Sequence, residues 1–317
     1  MSQGGNICLF FTFRPPFGKQ AKIRQSKMSG STSNKIRRGA FGKLEGGPIA
    51  VVIAEDSTEV LSTLVHLVAL GFAKLILIAP PGMFDLSERP ELADWVLHIE
   101  HATRQPEIVT EVVNAVIEQA PGTWIHYCFN GEYLFFPFCE TRSIAAAAAF
   151  VEEERRHSIL TFVVDLYAGN LSAFPDAVSL ETAHLDTSCY YAETRRNAAD
   201  DIMERQLNFY GGLKWRFEEH IAAQKRRIDR IGLFQARPGL ALRPDHTLND
   251  EELNTYACPW HHSMTAAICS FRVAKALRTN PGSRHDVGSF LWHRSEPFAW
   301  TSQQLLDLGL IEPGQWF

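Results

Sequence analysis

The sequence lacks paired cysteines, long apolar runs and a strong excess of charge. Its six cysteines include no C-x-x-C pair, which argues against a disulfide framework or a zinc ribbon in a chain of 317 residues. No apolar run approaches the roughly 18–20 residues that cross a bilayer. Hydrophobic residues make up 45% and charged residues 21%, so disorder as the main state is excluded too. These absences predict a globular cytoplasmic protein with reduced thiols.

The net charge of −5 conceals an uneven distribution. Residues 1–46 hold nine of the 31 Lys and Arg residues and only one of the 36 acidic residues, so they carry +8 and the remainder carries −13. This segment has no helical or strand period and predicts a disordered tail, 1–46, ahead of a domain at 47–317. The tail could touch anionic lipid or nucleic acid, or Met28 could be the true start. The acidic body argues against broad nucleic-acid binding.

Strands and helices alternate along the body of the chain. Buried strands are predicted at 49–54, 75–78, 123–129 and 159–166, with amphipathic helices near 58–71, 106–120 and 141–156 between them. Helices are also predicted at 193–210, 264–277 and 301–308. The alternation predicts an α/β fold with a mostly parallel sheet flanked by helices. Ligands of such sheets bind beyond the carboxyl ends of the strands, so the residues that follow each strand are the informative ones.

Several common site motifs are missing. The chain has no Walker loop, no G-x-G-x-x-G fingerprint, no G-x-S-x-G elbow and no H-E-x-x-H helix. His98 and His101 stand three residues apart with Glu100 between them, but a metal site needs further ligands that the sequence does not position. The pair is therefore interpreted as the end of a surface helix.

Five short motifs follow one another along the body of the chain. They are Gly122-Thr-Trp124, Phe129-Asn-Gly131-Glu132 with Pro137, Asp165-Leu-Tyr167, Gly211-Gly-Leu-Lys-Trp-Arg-Phe217 and Gln304-Leu-Leu-Asp-Leu-Gly-Leu310. In the same order, they resemble the G-x-W, the D-A-D-E with a following proline, the D-L-Y, the G-G-x-R-x-R-x-F and the Q-L-x-x-L-G-L of bacterial family 2 glycosyltransferases of the GT-A fold. The resemblance spans about 48–317 and implies a GT-A-like (Rossmann-like) sheet with a mixed C-terminal extension.

The resemblance also implies a metal that this sequence does not provide for. In the family, two aspartates hold Mg²⁺ or Mn²⁺ against the diphosphate of the nucleotide-sugar. Aligned on Glu132, those positions are Phe129 and Gly131, neither of which offers a side-chain ligand. The loop at 79–82 contains no acid, with Asp85 the only one nearby, and the family's histidine before F-K is Ser270. These departures predict a divergent or inactive member without a confidently assigned metal.

Seven candidate site residues follow from the strand ends and the resemblance. They are Asp165 and Glu132 as catalytic groups, and Glu55, Asp56, Lys214, Arg216 and His246 as substrate-binding groups. Asp165 could deprotonate an acceptor or fix its loop, and Glu132 could bind sugar or cap the next element. The acids after the first strand could meet a base or ribose, or lead into a helix. The basic pair could meet the diphosphate or lie on an exposed segment, and the histidine could instead sit in a polar loop.

Two main functions follow from these residues. The first is a glycosyltransferase-like enzyme that moves a sugar from a nucleotide-sugar to an unknown acceptor, such as a surface polysaccharide. Without D-x-D, that enzyme would neutralise the leaving diphosphate with Lys214, Arg216 or nearby bases. The alternative is a catalytically inactive GT-A domain acting as a binding or scaffold protein. An unrelated α/β binding protein is a third possibility, and the sequence assigns no oligomeric state.

Overall fold

The apolar runs of the first half of the chain form the centre of an eight-stranded sheet. The computed structural model describes residues 41, 42, 44, 46–259 and 261–316, so Met28 and most of the basic tail lie outside the described residues. The strands are β1 (Ile49–Ile53), β2 (Lys74–Ala79), β3 (Val96–Glu100), β4 (Trp124–Phe129), β5 (Glu132–Phe135), β6 (Ser158–Asp165), β7 (Tyr167–Ala168), β8 (Ala183–Asp186), β9 (Tyr190–Arg196), β10 (Ile202–Gly211), β11 (Asp229–Gln235), β12 (Ala266–Ser270) and β13 (Ser295–Pro297). The helices are α1 (Val60–Ala69), α2 (Ile108–Gln119), α3 (Ile144–Glu153), α4 (Gly212–Arg216), α5 (Arg272–Thr279) and α6 (Ser302–Asp307).

The large sheet has the strand order β3-β2-β1-β4-β11-β6-β12-β5. Its first four strands are parallel to one another, as expected where a helix or loop crosses over between strands. β11 runs antiparallel to both β4 and β6, and β5 runs antiparallel to β12. The sheet is therefore mixed, with six strands in one direction and two in the other.

Both faces of the sheet are covered, because side chains alternate along each buried strand. On one face, Ala50 and Val52 of β1 pack with residues of α1 and α3. On the other face, Val51 and Ile53 pack with residues of α2. The predicted α/β fold, a Rossmann-like sheet flanked by helices, is confirmed. Among the helices that the structure describes, none combines the length and apolar character needed to span a bilayer.

The structure corrects three of the predictions. The segment predicted as a helix at 193–210 forms the antiparallel hairpin of β9 and β10 instead. A turn in which the backbone N–H of Asn197 donates to the carbonyl of Asp201 at 2.9 Å contributes to the connection. The predicted helix at 264–277 divides into strand β12 and helix α5, and His98 lies within strand β3 rather than at a helix end. Charged residues inside β9 and β10 obscured the period-2 pattern there.

The order of the strands reverses at one point of the carboxyl edge, between β1 and β4, which we call the crevice. From β1 the chain proceeds through β2 to β3 on one side, and β4 then returns to the other side of β1. This reversal is a topological switch point, where ligands of open α/β sheets bind. The residues that follow β1 and β4 line this crevice, and β11 begins at the same edge because it runs antiparallel to β4.

Candidate site at the carboxyl edge of the sheet

The loop after β1 is joined to the end of β4 through Asn130. The side-chain oxygen of Asn130 accepts a hydrogen bond from the backbone N–H of Glu55 at 2.9 Å. Its amide nitrogen donates to the Asp56 carboxylate at 2.9 Å and to the Thr58 carbonyl at 2.7 Å. The Asp56 carboxylate also accepts from the backbone N–H of Thr58 at 3.0 Å. The Asp56 side chain therefore stabilises the turn that leads into α1, and it lies at the switch point.

Two cations of α5 meet the two acids of this loop. Arg272 donates to both carboxylate oxygens of Glu55 at 2.7 Å. One helical turn later, the Lys275 ammonium lies 2.8 Å from the Asp56 carboxylate. Burial favours the neutral acid at Asp56, but the hydrogen bond and charge of Lys275 outweigh it, so the pKa of Asp56 is lowered. Both predicted acids are thus paired with cations of α5 at the crevice.

Glu132 lies in a buried ion pair that the sequence did not reveal. Its two oxygens accept hydrogen bonds of 2.9 Å from the two terminal nitrogens of Arg230 in β11. They also accept from the backbone N–H of Phe129 at 2.9 Å and from the Ser270 hydroxyl at 3.1 Å. Burial would raise the pKa of Glu132, but Arg230 outweighs burial and lowers it to about 2. The carboxylate is 1% exposed and both of its oxygens accept hydrogen bonds. Its role is therefore to hold Arg230, Phe129 and Ser270 in place.

Phe129 and Gly131, which the resemblance aligns with metal-binding aspartates, do not fit a divalent ion. Phe129 presents its ring to the guanidinium of Arg272, whose central carbon lies 3.9 Å from the ring centroid. Gly131 has no side chain, and both oxygens of the adjacent Glu132 are taken by Arg230. Mg²⁺ and Mn²⁺ require several oxygen ligands. In the part of the chain that the structure describes, no group of three His, Cys, Asp or Glu side chains could hold a metal.

Asp165 ends β6 and is buried beneath the start of α4. One carboxylate oxygen accepts a hydrogen bond from the backbone N–H of Leu213 at 2.8 Å, and the other is buried without a hydrogen-bond partner. Burial raises the pKa of Asp165 to about 7, against the opposing charge of Lys214. Gly212 permits this approach, because a Cβ there would lie 2.6 Å from the carboxylate and φ is +58°. Asp165 is therefore a buried acid that titrates near neutrality.

The two predicted basic residues of α4 have different environments. The Lys214 ammonium donates to the Arg227 carbonyl at 2.7 Å, and burial lowers the pKa of Lys214 to about 8 despite the nearby Asp165. Arg216 instead pairs with Asp186 at 3.0 Å, and its guanidinium lies 4.5 Å from the Trp292 ring centroid. Lys214 thus lies near Asp165, whereas Arg216 belongs to a separate cluster with Asp186 and Trp292.

His246 faces the crevice from the segment after β11. Its ring stacks on Tyr127 with centroids 5.9 Å apart, and its Nδ1 lies 3.1 Å from the Tyr127 hydroxyl. Burial lowers the pKa of His246 to about 3, and the positive charges of three neighbours act in the same direction. Those neighbours are Arg230, Arg272 and Lys214. The imidazole is neutral at pH 7 and lies in the field of three cations.

Comparison with known proteins yields only distant structural likenesses. No protein-family profile and no curated protein matches the chain. Residues 1–349 of TarS from S. aureus match over 37% of this chain and 35% of that chain, with 17% identity and a TM-score of 0.26. The same TarS segment in complex with UDP matches with 16% identity and a TM-score of 0.26. UTP-bound UGPase from Acinetobacter baumannii matches over 76% of this chain and 96% of that chain, with 9% identity and a TM-score of 0.32.

The matched region therefore spans about a third of the TarS segment. Likenesses at these levels of identity and superposition establish neither a family nor a ligand for this chain.

Proposed function

We propose that this chain is a glycosyltransferase-like protein that binds a nucleotide-sugar at the crevice between the carboxyl ends of β1 and β4. The observation that carries the proposal is the convergence of charged side chains at this switch point. Glu55, Asp56 and Glu132 lie at the strand ends. Arg230 of β11 reaches Glu132, and Arg272 and Lys275 of α5 reach Glu55 and Asp56. Switch points of open α/β sheets are ligand sites, and guanidinium groups suit phosphate oxygens.

Within this proposal, binding does not depend on a divalent cation. Phe129 and Gly131 offer no side-chain ligands, and Glu132 is saturated by Arg230. The negative charge of a leaving diphosphate would then be neutralised by cationic side chains of the chain itself.

Asp165 is the candidate for accepting a proton from an acceptor hydroxyl. A general base works best when its pKa lies near the working pH, and burial raises the pKa of Asp165 to about 7. Its second oxygen has no hydrogen-bond partner and is available to a hydroxyl group. The residue is 1% exposed, so this role requires α4 to move away from the end of β6.

A second function, binding without transfer, is favoured by the burial of the two predicted catalytic acids. Asp165 and Glu132 are each 1% exposed, and the half-buried acids Glu55 and Asp56 are paired with cations of α5. A protein with this arrangement would bind a nucleotide-sugar as a catalytically inactive partner in glycan assembly.

Calorimetry with UDP-, GDP- and CMP-sugars tests the proposal, each titrated with EDTA and with Mn²⁺. We expect one nucleotide class to bind in EDTA with an affinity that Mn²⁺ does not improve. Release of free sugar from the bound donor, measured over hours, would separate transfer to water from binding alone. Failure of all three nucleotide classes to bind would overturn the proposal, and binding that requires Mn²⁺ would overturn its metal-independent form.

A further inference from the structure

We propose that Arg272 and Lys275 are a resident cation pair that binds the diphosphate of the nucleotide-sugar in the place of a divalent metal. In the free protein, Glu55 and Asp56 hold these cations at the switch point and yield them to the incoming phosphates. This inference rests on the proposed function for the identity of the ligand, but the pair itself would bind any diphosphate.

The position of the pair follows from the fold. Arg272 is the first residue of α5, and Lys275 lies three positions later, so both project from one side of the helix. Each of them meets a different acid of the loop after β1, at 2.7 Å from Glu55 and 2.8 Å from Asp56. Two positive charges therefore stand together outside the carboxyl ends of β1 and β4.

Phe129 explains why a cation can occupy this place without a carboxylate beneath it. The guanidinium of Arg272 lies 3.9 Å from the centroid of the Phe129 ring, within the range of a cation–π interaction. In the resemblance, this position carries an aspartate that attracts a metal ion. Here the aromatic face attracts a cation that belongs to the chain, so the position still carries positive charge.

The exposure of Arg272 permits an exchange of its partner, and Lys275, whose side chain is 11% exposed, lies beside it. The Arg272 side chain is 40% exposed and that of Glu55 is 26% exposed, against 8% for Arg230 and 1% for Glu132. Solvent-accessible ion pairs are weak, whereas guanidinium groups bind phosphate oxygens through two parallel hydrogen bonds. A diphosphate can therefore replace the Glu55 carboxylate without unfolding any element. No covalent bond is made or broken in this exchange.

The charge of Arg272 becomes available to an anion once Glu55 is displaced. Each cation here has an acidic partner in the free protein: Arg272 with Glu55, Lys275 with Asp56, and Arg230 with Glu132. The last pair is buried, so it is not the one exchanged. An anion bound beside Arg272 would therefore take the place of the Glu55 carboxylate and restore the ion pair.

Calorimetry with inorganic pyrophosphate and with UDP, both in EDTA at low salt, tests the cation pair. In Arg272→Met the aliphatic stem stays on Phe129 while the charge is lost, and we expect affinity for both probes to fall about tenfold or more. Glu55→Gln removes the competing carboxylate and should tighten binding by a few-fold. Arg272→Lys keeps the positive charge but loses the planar guanidinium that makes two parallel hydrogen bonds. Its affinity for both probes should lie between those of wild type and Arg272→Met.

Arg205→Met is the matched control, because Arg205 also makes two hydrogen bonds to a glutamate, Glu252, on an exposed surface. We expect it to bind both probes as the wild type does. Equal affinity of Arg272→Met and wild type would overturn the cation pair, and so would Glu55→Gln binding as poorly as Arg272→Met.

The two proposals fail in different ways. Pyrophosphate binding that depends on Arg272, with no gain in affinity for any nucleotide-sugar, would support the cation pair and overturn the nucleotide-sugar function. Nucleotide-sugar binding that Arg272→Met leaves intact would support the function and overturn the cation pair.

Discussion

The carboxylate of Glu132 and the guanidinium of Arg230 form two hydrogen bonds of 2.9 Å across 98 residues of sequence. The pair joins the start of β5 to the start of β11, the two strands that run against the direction of the other six. Because both side chains are almost fully buried, the pair fixes how these strands meet at the carboxyl edge. It also holds the backbone of Phe129, on which the proposed cation site depends.

Removing one partner of this pair should destabilise the fold strongly. Glu132→Gln leaves the Arg230 guanidinium buried without a counter-charge, a change that costs about 3–5 kcal/mol in the free energy of unfolding. Urea unfolding at pH 7 measures the loss. Glu252→Gln is the control, since it breaks the exposed pair with Arg205 and should cost less than about 1 kcal/mol. Similar losses for the two variants would contradict the structural role assigned to Glu132.

Burial of Asp165 should make the stability of the protein depend on pH with a defined sign. Because its pKa is raised from 3.8 to about 7, the folded state holds the proton over a range in which the unfolded state has released it. Stability from this residue is therefore present below pH 3.8 and is lost as the pH rises to about 7. Asp165→Asn cannot titrate, so its stability relative to wild type should rise across this range and become constant above it.

Lys214→Met tests the pKa of Asp165 from the other direction, because the charge of Lys214 opposes the rise in that pKa. In this variant the pH-dependent loss of stability should extend to higher pH than in wild type. Thermal unfolding measured from pH 4 to 9 follows both variants. A constant difference in stability between wild type and Asp165→Asn over this pH range would show that the pKa of Asp165 is not raised.

Substitution of Gly212 should disturb the packing of α4 on Asp165. In Gly212→Ala, the new Cβ would lie 2.6 Å from a carboxylate oxygen, in a residue with φ of +58°. Backbone strain and the clash together should lower the free energy of unfolding by about 2–4 kcal/mol. Gly239→Ala separates these effects, since Gly239 has φ of +80° and open space around its Cβ position. Gly239→Ala should lower the free energy of unfolding by about 1 kcal/mol. An equal loss in the two variants would mean that the structure relieves the clash between the new Cβ at position 212 and Asp165.

The sequence predicted the strands and helices of the first half of the fold. Buried apolar strands and the 3.6-residue period of α2 are strong local signals. The rule for strand ends directed attention to Glu55 and Asp56, which lie at the carboxyl edge of the sheet, and their role as site residues stays a prediction. The pairing of those acids was not predictable, because Arg272 lies 217 residues after Glu55 in the sequence and only the folded sheet brings α5 to the loop after β1. Arg230 was missed for a related reason: a charged residue at the start of a buried strand looks like a loop until a distant carboxylate is placed beside it.

Restoring the two aspartates tests the alignment and the role of Arg272 together. In Phe129→Asp with Gly131→Asp, we expect little affinity for Mn²⁺, because Arg272 would pair with the new carboxylate at position 129. Adding Arg272→Met to that double variant removes the competing cation and should create Mn²⁺ binding, measured by calorimetry or by the electron spin resonance of free Mn²⁺. Arg205→Met added to the double variant controls for a simple loss of positive charge. Strong Mn²⁺ binding in the double variant alone would show that Arg272 does not stand in for a metal, and no binding in the triple variant would count against the alignment.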